Sequence, residues 1–203
     1  MHEIREPIQR PAAAASLFSA RELFYRYPDG IQALSGVDLD IFPGDRIALV
    51  GQNGSGKSTL IRLLCGLLSP GAGAIRYKGQ PLIDDYLESS RLEIGVLFQD
   101  PDDQLFGYTV LEDVAFGPRH QGLSREEAQQ AALEALRQVS LEKLAYKEPH
   151  HLSCGQKKRA SLSGILAMRP EVLLLDEPTA NLDPCQEQVF LDHKDGFQFF
   201  GFL

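Results

Sequence analysis

Gly51-Gln52-Asn53-Gly54-Ser55-Gly56-Lys57-Ser58-Thr59 follows the apolar run Ile47-Ala48-Leu49-Val50 and leads into Leu60-Ile61-Arg62-Leu63-Leu64. Strand, glycine-rich loop and helix come in the order that a phosphate-binding loop requires. Gly51, Gly54 and Gly56 let the backbone curl so that successive N–H groups point inward, and the following helix presents its positive end to the same space. Such a pocket takes an anion. Lys57 would set a cation on the terminal phosphates, and the Ser58 hydroxyl is placed to ligate the magnesium ion that nucleotide phosphates bring. A glycine-rich turn that merely joins strand to helix is the alternative, and G-x-x-x-x-G-K-S in this setting is too specific to favour it.

Composition bounds what such a loop serves. With 203 residues, 43% hydrophobic and 24% charged, the chain can bury one α/β core with some embellishment. A formal charge of −8 argues against tracking along nucleic acid, so no nucleic-acid partner is expected. Cys65, Cys154 and Cys185 lack metal-ligand spacing and cannot all pair with one another, which suits a reducing, cytoplasmic compartment. No apolar run approaches the roughly 20 residues that span a bilayer, and residues 1–16 do not read as a signal peptide. Any membrane role is expected to be peripheral.

Taken in order, residues 1–16 read as a loosely held tail. Leu17 to Tyr27 reads as a strand, Pro28-Asp29-Gly30 as a turn and Val37 to Ile41 as a half-exposed strand, which together predict an antiparallel hairpin ahead of the main sheet. Tyr27 either stacks on a base or packs as a strand-end aromatic. Arg46 to Val50 is apolar enough to predict a strand buried on both faces, and its helix is expected to stop at Gly66. Ala74 to Tyr77 reads as a short strand. Ile94 to Phe98 reads as a core strand ending at Gln99, where open α/β sheets place ligand contacts.

From Asp100 to Leu152 the pattern turns helical. Val110 to Phe116 predicts a short helix, and Ser124-x-x-Glu127 is a capping box opening a longer one through Val139. His150 and His151 beside Pro149 read as surface residues, with no other metal ligands apparent nearby. Leu152-Ser153-Cys154-Gly155-Gln156 opens a helix to about Met168 and is a second potential anion site. Val172 to Leu175 is a buried strand delivering Asp176 and Glu177 at its end, where two acids need a cation or a catalytic task. Asp176 would reach magnesium through water, and Glu177 would polarise an attacking water.

Together these residues resemble the nucleotide-binding subunit of an ABC transporter over roughly 17–184. The resemblance implies a P-loop NTPase (RecA-like) α/β core with an N-terminal antiparallel β subdomain and an inserted helical subdomain. It makes Tyr27 the base-stacking aromatic, Gly51 to Thr59 Walker A (Asn53, Ser55 and Thr59 included), and Gln99 the Q-loop glutamine and a magnesium contact with Ser58 and Asp176. It also makes Ser153 to Gln156 the signature, Val172 to Glu177 Walker B, and Asn181-Leu182-Asp183 the D-loop. ATP and Mg²⁺ are the implied ligands. Two such subunits, alike or different, would sandwich two ATP molecules, with Ser153 and Gly155 of one facing the γ-phosphate held by the other.

The stretch Val96 to Phe106, with Glu112 to Pro118 after it, looks most like the ATPases of cobalt and nickel importers and of energy-coupling-factor vitamin importers. That implies a peripheral ATPase on the cytoplasmic face of the membrane. It would dock on an integral membrane subunit through a groove near the Q-loop and drive uptake of a metal ion or a vitamin.

Two departures stand out. Cys154 occupies a position where the family usually has glycine, and Ser153 and Gly155 on either side are intact. Beyond the D-loop the family continues with a helix, another core strand and a switch histidine. His193, sixteen positions after Glu177, does not take that role here. The tail Gly196 to Leu203, with four phenylalanines, reads as an edge strand or an exposed, aggregation-promoting segment.

A truncated or out-of-frame C-terminus is the favoured reading of that tail, leaving a sheet edge unpaired and the domain marginally stable. The expected organisation is therefore a tail (1–16) and one ATPase domain (17–203). Within it, 17–98 and 156–184 form the core and β subdomain, 99–155 the helical subdomain and 185–203 an atypical tail. A nucleotide-binding fragment with little or no ATPase activity is the alternative function.

Overall fold

The structure, a computed structural model, describes residues 15–178 and the backbone of 198–202. Strand β1 (Phe18–Arg26) turns at Pro28-Asp29-Gly30, where Gly30 takes φ +91°, and pairs antiparallel with β2 (Gln32–Ile41). This is the expected hairpin. The other edge of β1 pairs antiparallel with β4 (Ala72–Tyr77), and β5 (Gln80–Pro81) lies outside that, giving the order β2-β1-β4-β5.

The second sheet is parallel. It contains β3 (Arg46–Leu49), β6 (Ile94–Leu97), β7 (Val172–Leu175) and β8 (Gln198–Phe202) in the order β3-β8-β7-β6. All four residues of β7 are buried, and their alternation divides the core. Leu173 and Leu175 face one apolar cluster, built with helices α3 (Val110–His120), α4 (Arg125–Gln138) and α5 (Cys154–Met168). Val172 and Leu174 face the other, built with α1 (Lys57–Leu64) and the antiparallel sheet. A period of two along one strand thus sets α3, α4 and α5 on one side and α1 with the β subdomain on the other.

Two expectations about this sheet are corrected. β3 is not buried on both faces: Arg46 and Ala48 are exposed while Ile47 and Leu49 are half-buried. Among the described residues it is the last strand of the sheet, paired on one side alone. The tail strand is not at an edge. β8 lies between β3 and β7, parallel to both, with Phe200 opposite Ile47 and Leu174, and the β3 edge facing it is paired. A β-rich run of phenylalanines satisfies two ladders at once in an interior position, which an edge would deny it.

The helices follow their sequence signals closely. α1 ends at Cys65 with Gly66 at φ +68°, as expected. Ser124 and Glu127 close a capping box on α4, and Ser153 and Gln156 close another on α5, which ends where Arg169 turns left-handed at φ +50°. α3 runs past Phe116 to His120 because Pro118 extends the buried face of Val110, Leu111, Val114 and Ala115. That burial outweighs the proline's missing donor. A further helix, α2 (Asp84–Ser90), lies in a stretch with no clear apolar period. Among the described residues no helix is long and apolar enough to cross a membrane.

Candidate active site

The phosphate loop departs from the end of β3 and closes onto α1. Gly54 and Gly56 both take left-handed backbone, at φ +80° and +88°. At Gly56 a side chain is excluded twice over, since a Cβ would lie 2.5 Å from the Ala33 carbonyl oxygen. Gly56 is also the N-cap of α1, and no acidic residue occupies the first turn, so the helix dipole is left to act on a ligand. Lys57 folds back over the loop, and its Nζ donates to the carbonyls of Gly51 (2.9 Å) and Gln52 (3.0 Å).

The ends of β6 and β7 bring the remaining polar groups to this loop. The Asp176 amide donates to the Leu97 carbonyl at 2.9 Å, locking the two strand ends together. Ser58 Oγ donates to Asp176 Oδ1 at 3.1 Å, and Gln99 Nε2 donates to Glu177 Oε2 at 2.8 Å. Asp176 is buried, and burial pushes its carboxyl above the usual carboxylate range, opposed by the Ser58 hydrogen bond. The Ser58 hydroxyl and the Asp176 carboxylate are hard oxygen donors at contact distance, which fits a magnesium ion carried in by phosphates.

Around them lies a cleft of about 630 Å³ lined by Tyr27, Asp29, Ile31, Ala33, Asn53, Gly54, Gly56, Lys57, Ser58, Thr59, Gln99 and Glu177. Tyr27 hangs on its wall: its hydroxyl hydrogen-bonds Thr59 Oγ1 at 3.0 Å, and its ring meets Tyr25 edge-on at 5.0 Å. The expected loop residues, Tyr27, Gln99 and the two acids are therefore brought to one place.

Ser153, Gly155 and Gln156 are not in that cleft. Ser153 Oγ accepts from the Gln156 amide (3.3 Å), and Gln156 Oε1 accepts from the Ser153 amide (3.0 Å), at the start of α5. Ser153 and Cys154 are exposed, whereas Gly155 is buried. Asp183, with Asn181, Leu182 and His193, lies outside the described residues.

Two residues that sequence reasoning did not single out shape the site. Lys158, one turn into α5 and buried, donates from Nζ to the Glu177 carbonyl at 2.6 Å, and burial pushes its amine below the ordinary lysine value. Gln104 accepts from the Phe98 amide (3.0 Å) and donates to the Val96 carbonyl (2.9 Å), clamping the chain just before Gln99. In sequence Lys158 is hidden as the middle of the cationic run Lys157-Lys158-Arg159, and Gln104 lies in the stretch that carries the importer resemblance without a role of its own.

Residues 34–180 match the family model described as ABC transporter. The chain belongs to the ABC transporter family. Its ABC transporter ATP-binding domain is 48% identical over 171 residues to the energy-coupling factor transporter ATP-binding protein EcfA of Methanosphaera stadtmanae, covering 83% of this chain and 62% of that protein. It is 52% identical over 165 residues to a putative ABC transporter ATP-binding protein of Gloeobacter violaceus, covering 80% and 68%. Among solved structures, cbiO1 from Clostridium perfringens, part of the ABC transporter complex cbiONQ, superposes with a TM-score of 0.75 at 38% identity, covering 92% of this chain and 78% of that one.

The ATP-binding cassette MJ0796, seen as a dimer bound to ADP and phosphate, gives a TM-score of 0.82 at 30% identity, covering 91% and 87%. The P-loop NTPase fold expected from the sequence is the fold these cassettes share with this chain. The ABC domain described here spans about three fifths of the length of the EcfA proteins it matches.

Proposed function

We propose that this chain is an ATP-hydrolysing subunit that works as one of a pair and powers an importer through a membrane partner. One observation carries the reading: the Gln99 amide holds the Glu177 carboxylate at the mouth of the phosphate loop, beside Lys57 and the Ser58–Asp176 pair. The loop amides and the α1 N-terminus take the phosphates, Lys57 moves from the Gly51 and Gln52 carbonyls onto the terminal phosphate, and Tyr27 covers the base. Asn53, Ser55 and Thr59 complete the cradle. Ser58, Asp176 and Gln99 would hold Mg²⁺, which when bound neutralises charge on the phosphate oxygens. Glu177 accepts a proton from the water that attacks in line, and the exposed Ser153, with Gly155, Gln156 and Asp183, serves the ATP of the opposite copy.

The relatives support the importer assignment, and the chain carries a surface suited to it. An apolar groove of about 190 Å³ runs between β6 and α5, lined by Leu105, Phe106, Phe116, Gly117, Gly164 and Met168. Phe106 and Phe116 meet edge-on at 4.9 Å and stay 68% and 45% exposed. Gln104 lines the same groove and clamps the segment carrying Gln99, so a membrane subunit seated there, at the cytoplasmic face, would feel the state of the nucleotide. The cargo class is cobalt, nickel or a vitamin.

Mg-ATP turnover by the purified chain, measured beside Glu177→Gln and a nucleotide-binding titration, tests the enzymatic reading. Turnover that disappears in Glu177→Gln while binding persists is expected. Binding without turnover by the parent chain would leave a nucleotide-holding fragment instead.

A further inference from the structure

Outside the nucleotide cleft, the 3₁₀ turn Pro149–His151 gathers three metal-binding side chains. His150 Nε2 lies 3.0 Å from Glu148 Oε2 and His151 Nδ1 lies 3.7 Å from the same oxygen. All three donor atoms fall within 4.8 Å of one another, and the two imidazoles meet at a tilt of 50° with centroids 4.1 Å apart.

The backbone fixes this arrangement. Pro149 and Leu152 are buried on either side, the His151 amide donates to the Glu148 carbonyl (3.1 Å), and the Leu152 amide donates to the Pro149 carbonyl (3.0 Å). Three exposed donors therefore stand on a turn anchored at both ends.

Two ligand atoms bound at about 2.0–2.1 Å to one ion sit roughly 3–3.4 Å apart; the His150–Glu148 pair at 3.0 Å already has that spacing, and His151, at 3.7 Å, reaches it by a small side-chain rotation. A single ion pair would occupy one imidazole on Glu148, whereas here both rings approach the same carboxylate oxygen, and imidazole is the commonest metal ligand. Imidazole donors select late first-row ions over magnesium or calcium.

We propose that Glu148, His150 and His151 form a binding site for a late first-row divalent cation of the Zn²⁺ or Ni²⁺ kind, with water completing the coordination. Only Leu152 separates the turn from Ser153, so a bound ion would stiffen the segment that enters α5.

The test is a calorimetric titration of the full chain, free of any added histidine tag, with Zn²⁺ in excess Mg²⁺ and without nucleotide. One ion per chain is expected to bind with micromolar affinity. His150→Ala and His151→Ala are each expected to weaken binding by at least about tenfold, and His120→Ala to leave it unchanged. All three ligands are exposed, so the variants keep the fold, which circular dichroism checks. Either histidine variant binding as tightly as the parent overturns the proposal, as does a parent chain with no saturable binding at millimolar Zn²⁺. The readout needs no ATP turnover, so it stands apart from the ATPase assignment.

Discussion

Lys158 Nζ donates a 2.6 Å hydrogen bond to the backbone carbonyl of Glu177, and Glu177 itself sits in left-handed backbone at φ +47°. A buried ammonium from α5 thus holds the residue after Asp176 in a conformation that a non-glycine residue rarely adopts. The carboxylate that follows from that backbone is the one Gln99 grips from the other side. Two elements, α5 and the end of β6, therefore fix one side chain.

Lys158 is accordingly expected to act as a positioning residue. Lys158→Met should lower turnover by about 10- to 100-fold, the usual effect of misplacing a catalytic group by an ångström, and leave the KM for ATP nearly unchanged. Lys158→Arg should recover part of the loss. Steady-state kinetics on the three proteins separates this from general destabilisation, which would reduce the active fraction without restoring it in the conservative variant.

Asp176 shows the opposing demands of stability and binding. Burial raises its carboxyl above the unfolded value, so the folded chain holds the proton more tightly than the unfolded one. The resulting stabilisation is fully present below the unfolded value and is lost as pH rises through the raised, folded value. Burying this carboxyl in its charged form is therefore unfavourable in the nucleotide-free chain. Asp176→Asn should stabilise that state by on the order of 1 kcal/mol at pH 7, with the gain shrinking in acid, while weakening Mg-ATP binding. Thermal melts across pH with and without Mg-ATP measure both effects.

Ser153 can be tested with its structural and proposed functional roles kept apart. Aspartate serves as an N-cap as well as serine does, so Ser153→Asp should keep the melting temperature within a few degrees and retain ATP binding. Its negative charge, facing a phosphate across a pair of chains, should abolish turnover. Ser153→Ala should instead cost about 1 kcal/mol of stability through the lost cap.

Most of the fold was legible because its signals are local. The glycines of the phosphate loop, the Ser124–Glu127 and Ser153–Gln156 caps and the apolar run of β7 each declare themselves within a few residues. What was not legible depends on distant neighbours. The interior place of β8 is set by strand order and the half-exposure of β3 by what packs on its faces, neither of which any window of sequence contains.

The site divides the same way. Lys57, Ser58, Asp176 and Glu177 were readable from spacing, but the Lys158–Glu177 contact joins positions nineteen apart through tertiary packing. Gln104 works through two backbone groups that carry no sequence mark. The approach of Glu148 to both His150 and His151 arises from a 3₁₀ turn that adjacent histidines alone do not announce.

If a complete site needs the phosphate loop of one chain and Ser153 of another, mixing two disabled variants should rebuild it. Ser153→Asp and Glu177→Gln are each expected to be inactive alone. A mixed pair of the two rebuilds one intact site, so random pairing should restore about a quarter of the parent turnover. Turnover by Ser153→Asp alone at the parent rate, or no recovery on mixing while both variants still bind ATP, would contradict the shared site.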